Sequence, residues 1–172
     1  KKEFKNVITI IAPRHIDRAN EIKSLSEKFQ LKAQILNKNK NILQDKEIII
    51  INHFGALNSY FKYAKSVFIG KSMIKKLKHE GGQNPIEAAK LGCRIYYGPY
   101  VYNFEDIYRV LKNNKISKQV KDYIELSKNL TVDIKKNNKK LKKNNNSIDK
   151  LGQKTFVNSM PLINDFLNNE FK

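Results

Sequence analysis

The residues of this 172-residue chain whose types and spacing could do chemistry lie in loop motifs. Foremost is Gly81-Gly82-Gln83-Asn84-Pro85-Ile86-Glu87. A glycine pair lets the backbone pass close to a ligand and take positive φ. The helix that starts at Asn84-Pro85 turns unpaired N–H groups and the positive end of its dipole toward that turn. This suits a nucleotide phosphate. The same residues also make a helix cap, with Asn84 at the N-cap, Pro85 in the first helical position and Glu87 in the third. The cap alone is worth about 1 kcal/mol. A glutamate there repels a phosphate held on the helix end but can accept hydrogen bonds from neutral ribose hydroxyls. Glu87 therefore fits a cap in the free protein and a ribose contact in a complex.

Four other loops follow predicted strands: Pro13-Arg14-His15, Asn52-His53-Phe54-Gly55, Gly70-Lys71-Ser72 and Gly98-Pro99-Tyr100-Val101-Tyr102-Asn103-Phe104. Arg14, at the end of the first strand, suits either a bidentate grip on a phosphate or carboxylate or a surface salt bridge. No G-x-G-x-x-G, Walker loop, G-x-S-x-G or H-E-x-x-H occurs. His15, His53 and His79 are far apart and lack zinc-like spacing. No Asp-x-Asp pair is present to hold a divalent ion. Neither a metal nor a cofactor is expected. The lone Cys93 excludes an internal disulfide framework and reads as a buried, inert thiol.

The elements that must position these loops alternate. Val7–Ala12 is a short β-branched run that predicts a buried parallel strand, followed by a helix over about Arg18–Gln30, capped by Asp17 or Asn20. Ile22, Leu25, Ser26 and Phe29 give that helix an apolar face. Strands are predicted at Ala33–Leu36, Glu47–Ile51, Ser66–Ile69, Arg94–Tyr97 and Ile116–Val120. Helices are predicted at Ala56–Ala64 (Leu57, Tyr60, Phe61 and Ala64 on one side), Pro85–Leu91 (closed by Gly92) and Phe104–Leu111. Lys71–Glu80 is a charged loop. The alternation predicts an α/β fold, a Rossmann-like doubly wound parallel sheet in a single domain over residues 1–172. Six of the seven glycines lie between Gly55 and Gly98, and they mark the strand ends, where open parallel sheets bind ligands. From about residue 123 the pattern is helical. Tyr123–Lys136 is amphipathic and Lys135–Asn146 is a solvated Lys/Asn tract. A last helix runs from about Ser147 to Phe171, with Phe156, Met160, Ile163 and Leu167 on one face and a kink at Pro161.

The net charge of +18 raises nucleic-acid and anionic-membrane functions. Only Arg14, Arg18, Arg94 and Arg109 are arginines, and lysine here accompanies heavy Asn and Ile use. Sequence-reading nucleic-acid binders favour the arginine fork, so a basic surface beside anionic lipid headgroups fits better. The longest apolar runs are far below the ~20 residues of a membrane helix, and no signal-peptide pattern opens the chain. A soluble or at most peripheral piece is expected. It begins at Lys1 rather than Met, as a processed product or a piece of a longer protein would.

Taken together, these motifs resemble the C-terminal domain of the 3-deoxy-D-manno-octulosonic acid (Kdo) transferases, inverting glycosyltransferases of the GT-B class. The family's strand-PRH-x-x-R is matched by Pro13-Arg14-His15-Ile16-Asp17-Arg18. Its G-G-H-N-P-x-E-P/A-A is matched from Gly81 to Ala89, with Gln83 in place of His. Its G-P-x-x-x-N-F is matched by Gly98–Phe104. The resemblance covers most of the chain to about residue 125. Asn52-His53-Phe54-Gly55-Ala56-Leu57 stands where the family has D-T-x-G-E-L, so both acids are absent. Gly70-Lys71-Ser72 stands for G-G-S. The resemblance implies a GT-B C-terminal domain that holds the donor CMP-Kdo. Arg14 would lie near the phosphate or sugar carboxylate, Asn52, Phe54 and Gly55 in the second donor loop, Gly81, Gly82 and Asn84 at the phosphate, and Glu87 at the ribose. It places the catalytic base and the acceptor site in an N-terminal domain absent from this chain. It implies transfer of Kdo to the lipid A precursor in lipopolysaccharide biosynthesis, at the cytoplasmic face of the bacterial inner membrane. A degenerate, non-catalytic GT-B domain and a lysine-driven nucleic-acid-binding domain are the alternatives.

Overall fold

The structure, a computed structural model, describes residues 4, 6–39, 41–79, 81–135 and 161. The chain divides into two compact units, Lys1–Leu57 and Asn58–Lys172.

In the first unit, strands β1 (Thr9–Ile11), β2 (Ala33–Leu36) and β3 (Ile48–Ile51) form a parallel sheet in the order β1-β3-β2. Helix α1 (Ala19–Lys28) connects β1 to β2. The central strand is four isoleucines, all buried. Burying an isoleucine stabilises by roughly 1.5–3 kcal/mol, and a run of four with no polar alternation suits a strand covered on both faces. Ile48 and Ile50 join Ala19 and Ala33 in one core cluster, with Ile22 and Ile35 packed against it.

Three expectations are corrected here. The first strand is an edge strand with Ile8 and Ile10 exposed, because β3 rather than β1 takes the middle of the sheet. The face that α1 buries carries Ala19 and Ser26, with Ile22 packed on the core; Leu25 is 53% and Phe29 71% exposed. Small residues let the helix axis lie close to the sheet, and the Ser26 hydroxyl is satisfied by donating to the Ile22 carbonyl at 2.8 Å. No side-chain cap from Asp17 or Asn20 is present. A short 3₁₀ turn, Ile16–Arg18, leads directly into the helix instead.

In the second unit, β4 (Ser66–Ile69), β5 (Arg94–Tyr97) and β6 (Ser117–Gln119) form a parallel sheet in sequence order. The register pairs Ser66 with Arg94 and Ile95 with Ser117. The loops bearing the motifs therefore leave one edge, and the strand starts line the other. Helix α2 (Leu57–Phe61) lies at the boundary of the units, α3 (Ile86–Lys90) precedes β5, α4 (Glu105–Asn113) precedes β6, and α5 (Tyr123–Lys135) follows it. Ala88, Ala89, Cys93, Ile95, Tyr97, Tyr108 and Leu111 make the core. Tyr97 and Tyr108 stack with ring centroids 4.2 Å apart. Cys93 is fully buried and its thiol faces the carbonyls of Phe61 (3.3 Å) and Ala64 (3.4 Å), as expected of an inert structural cysteine. Gly92 takes φ +75° after α3, the left-handed closing position that glycine occupies without a Cβ penalty. It sits at the strand-start edge, away from the motif loops.

Within each unit the described strands pair in parallel and the fold is α/β, with helix α5 following the last of them. The Lys/Asn tract and the final helix expected from Ser147 to Phe171 lie outside the described residues, save for Lys135 and Pro161.

Candidate functional site

Three loops at the strand-end edge of the second unit are packed into one body. The segment after β4 supplies Ser72, which has no exposed surface. Its hydroxyl donates to the Ile69 carbonyl and accepts from the Gly98 N–H at 2.8 Å. The Ser72 carbonyl accepts from the Tyr100 N–H at 2.8 Å. The loop after β5 is thus bound twice to the loop after β4, through one serine.

The glycine pair completes the body. A Cβ on Gly81 would overlap the Tyr100 carbonyl, and one on Gly82, at φ +78°, would press on Val101. Both glycines are buried. Their immediate reason is close passage of the neighbouring loop's backbone. The Tyr108 hydroxyl donates to the Gln83 carbonyl at 3.1 Å and fixes the turn to α4. Among the described residues, no group accepts from the N–H groups of Gly82 and Gln83.

Asn84 and Glu87 are exposed. The Asn84 Oδ1 accepts from the Ile86 N–H at 2.9 Å, which is the cap expected of it. Among the described residues the reciprocal bond from Glu87 is not formed, so the capping box is half made and the Glu87 carboxylate has no partner there. Helix α3 has only five residues, too few for a full macrodipole, which builds from aligned peptide units. Any anion here would rely on the loop N–H groups.

In the first unit, β1 and β3 pair in parallel, so the loops carrying Arg14 and Asn52–Gly55 leave the same edge. Arg14 is exposed and makes no salt bridge among the described residues, unlike Arg18. The Arg18 guanidinium bonds Glu21 with both Nε (2.9 Å) and Nη2 (3.1 Å). That hydrogen bond first, and the opposite charge second, hold the Glu21 carboxyl below its ordinary range. The Asn52 side chain donates to Asn37 Oδ1 at 2.8 Å, tying together the ends of β2 and β3. Phe54 is 77% exposed and Gly55 takes φ +85°. Lys71 takes φ +64°, a left-handed conformation natural to the glycine of a G-G-S segment and costly for lysine by about 1–2 kcal/mol.

The spacing of the motifs did not expose Ser72 as the fastener of this body. Its one visible signal was a small hydroxyl residue in a tight turn directly after a buried strand. Also invisible was Asp133, which is 5% exposed and lies on α5 at the opposite edge. Its carboxylate accepts from Ser66 Oγ at 2.9 Å and from the Tyr96 hydroxyl at 2.7 Å, and it lies 3.3 Å from an Arg94 guanidinium nitrogen. Among the described residues, no group of three His, Cys, Asp or Glu side chains could hold a metal ion. No described helix is long and apolar enough to cross a membrane.

Comparison with known proteins bears out the resemblance read from the motifs. The chain is 28% identical over 138 residues to a 3-deoxy-D-manno-octulosonic acid transferase of Rickettsia conorii, covering 80% of this chain and 29% of that protein. It is 27% identical over 131 residues to the Aquifex aeolicus protein of the same name, covering 76% and 35%. A bifunctional glycosyltransferase/methyltransferase of Fusobacterium nucleatum is 29% identical over 139 residues, covering 79% and 21%. The chain therefore spans only about a third or less of the length of these relatives. Among solved structures, the C-terminal CMP-Kdo binding domain of WaaA from Acinetobacter baumannii superimposes with a TM-score of 0.61 at 19% identity, covering 70% of this chain and 61% of that one. That likeness establishes the shared α/β fold. No family model matches the chain.

Proposed function

We propose that this chain is the donor-binding half of an inverting GT-B glycosyltransferase that transfers Kdo from CMP-Kdo. The observation that carries the proposal is the likeness to proteins named as Kdo transferases, combined with the body built from the loops after β4 and β5. Arg14 is the cation for the donor phosphate or the sugar carboxylate, and its lack of a salt bridge leaves it available. Asn52, Phe54 and Gly55 form the second donor loop. The backbone of Gly81 and Gly82, with Asn84, serves the phosphate, and the uncommitted Glu87 carboxylate accepts from the ribose hydroxyls. Residues 1–172 act as one nucleotide-sugar-binding domain. The catalytic base and the site for the lipid A precursor belong to a preceding domain of the full-length protein, which works in lipopolysaccharide biosynthesis at the cytoplasmic face of the bacterial inner membrane. The lysine-rich surface supports peripheral contact with anionic lipid there.

Calorimetric titration of the chain with CMP tests this. Saturable binding is expected, weakened about tenfold or more by Arg14→Ala or Glu87→Ala, in keeping with loss of a charge-assisted hydrogen bond. The chain alone is expected to transfer no Kdo. One observation favours the second reading, a degenerate GT-B domain: the Asn52 side chain is engaged with Asn37 in a loop without an acid. Absence of any saturable CMP response would select that reading, and robust transfer by the 172-residue chain would overturn the division of labour.

A further inference from the structure

The glycine turn is tied to the core by a residue 25 positions further along the chain. Tyr108, on α4, is 2% exposed. Its ring stacks on Tyr97 with centroids 4.2 Å apart, which fixes the ring and aims its hydroxyl. That hydroxyl donates to the Gln83 carbonyl at 3.1 Å. Burial raises the phenol above its ordinary value, so it remains a donor.

The other side of the same peptide unit faces the opposite way. The Gln83–Asn84 peptide is trans, and in a planar trans unit the C=O and the following N–H point in opposite directions. With the Gln83 carbonyl turned inward to Tyr108, the Asn84 N–H is turned outward. Asn84 is exposed, and no described group accepts from that N–H. The Asn84 side chain is taken up by the Ile86 N–H, so its backbone N–H is what this residue offers a ligand. A peptide whose carbonyl accepts from a phenol is also polarised, and its N–H is a stronger donor for it.

We propose that Tyr108 is a positioning residue for donor binding: its hydroxyl holds the Gln83–Asn84 peptide so that the Asn84 N–H faces the phosphate of the nucleotide. This rests on the reading of the glycine turn as the phosphate site. Tyr108 itself touches no ligand and acts through the peptide it holds.

The test is an NMR-detected titration of the 172-residue chain with CMP and, separately, with cytidine, which lacks the phosphate. Tyr108→Phe keeps the ring and its stack and removes the hydroxyl. Tyr97→Phe is the matched control, since it removes a buried phenol hydroxyl from the other ring of the stack, one that interacts with the Ser117 side chain. Tyr108→Phe should weaken CMP about three- to tenfold, as loss of roughly one hydrogen bond would, and leave cytidine within about twofold. Tyr97→Phe should leave both ligands within about twofold, whatever it costs in melting temperature. Unchanged CMP binding by Tyr108→Phe, equal weakening of CMP and cytidine, or the same phosphate-specific loss in Tyr97→Phe would each overturn the positioning role. A parent chain that binds no CMP would instead overturn the donor-binding reading itself, and the positioning role with it.

Discussion

Replacing Ser72 by alanine removes two hydrogen bonds through a single atom and takes away nothing exposed. The Gly98 N–H then loses its one acceptor among the described residues, and the Ile69 carbonyl loses a donor. A buried donor left unsatisfied costs about 1–3 kcal/mol and a lost neutral bond about 1 kcal/mol, so the sum is roughly 2–4 kcal/mol. At about 2–4 °C per kcal/mol for a chain of this size, the melting temperature should fall by roughly 5–15 °C. Urea unfolding is the assay, because an unchanged slope with a lowered midpoint identifies a stability change rather than a change in the unfolded state. Ser59→Ala, on the exposed side of α2, is the control and should stay within about 0.5 kcal/mol. Gly98→Ala brings a Cβ against the Ser72 backbone. Combined with Ser72→Ala it should cost less than the two singles added, since both part the same pair of loops. A Ser72→Ala loss below about 0.5 kcal/mol would refute the idea that this serine fastens the loop body.

Further expectations concern the two units separately. In α1, Leu25→Ala and Phe29→Ala should each cost under about 1 kcal/mol, whereas Ile50→Ala in β3 should cost about 2–5 kcal/mol by cavity formation; equal losses by chemical denaturation would restore Leu25 and Phe29 to the core. Gln30, just past α1, holds φ +57°. Gln30→Gly should raise stability by about 0.5–1 kcal/mol, since glycine meets no Cβ penalty there. Burial raises the Tyr96, Tyr97 and Tyr108 phenols above their ordinary value, and in Tyr96 the bond to Asp133 adds to it. A raised folded-state value means the folded chain holds its protons longer. The stability from these groups is therefore complete below about pH 10 and declines as pH rises beyond it. Absorbance titration should show these three of the eight tyrosines ionising only as the chain unfolds; full ionisation of all eight in the folded state would contradict this.

Much of the fold could be read from local pattern. Ala33–Leu36, Ser66–Ile69 and Arg94–Tyr97 are strands with the bounds that the sequence suggests, because short apolar runs end at Gly or polar loop residues. The order of strands is not local information: the apolar run Val7–Ala12 suggests a buried strand, whereas β1 is an edge of its sheet. The face of α1 is legible at Ile22 and Ser26, which the structure buries or packs on the core, but not at Ala19, which is small and carries little hydrophobic signal, nor at Leu25 and Phe29, which carry much and stay in solvent. The motif loops were legible as loops, and the Asn84 cap as a cap. The reason for Gly81 was not, since the group that forbids a side chain there is the Tyr100 carbonyl from another loop. Ser72 and Asp133 act across long intervals of chain, 26 residues from Ser72 to Gly98 and 67 from Ser66 to Asp133, and no periodicity records such pairings.

The Asp133 carboxylate also bears on the order in which the second unit can be completed. Ser66, Arg94 and Tyr96 are all made well before Asp133 emerges during synthesis. Until it does, the start of β5 presents an uncompensated guanidinium and a phenol awaiting its acceptor, beside a sheet face that α5 has yet to reach. Long-range closures of this kind form late, after the local contacts that reward them less slowly. Helix α5 thus acts as a finishing clasp. A version of the chain shortened to end before Asp133 would keep every strand of the sheet while losing the group that holds its strand starts together.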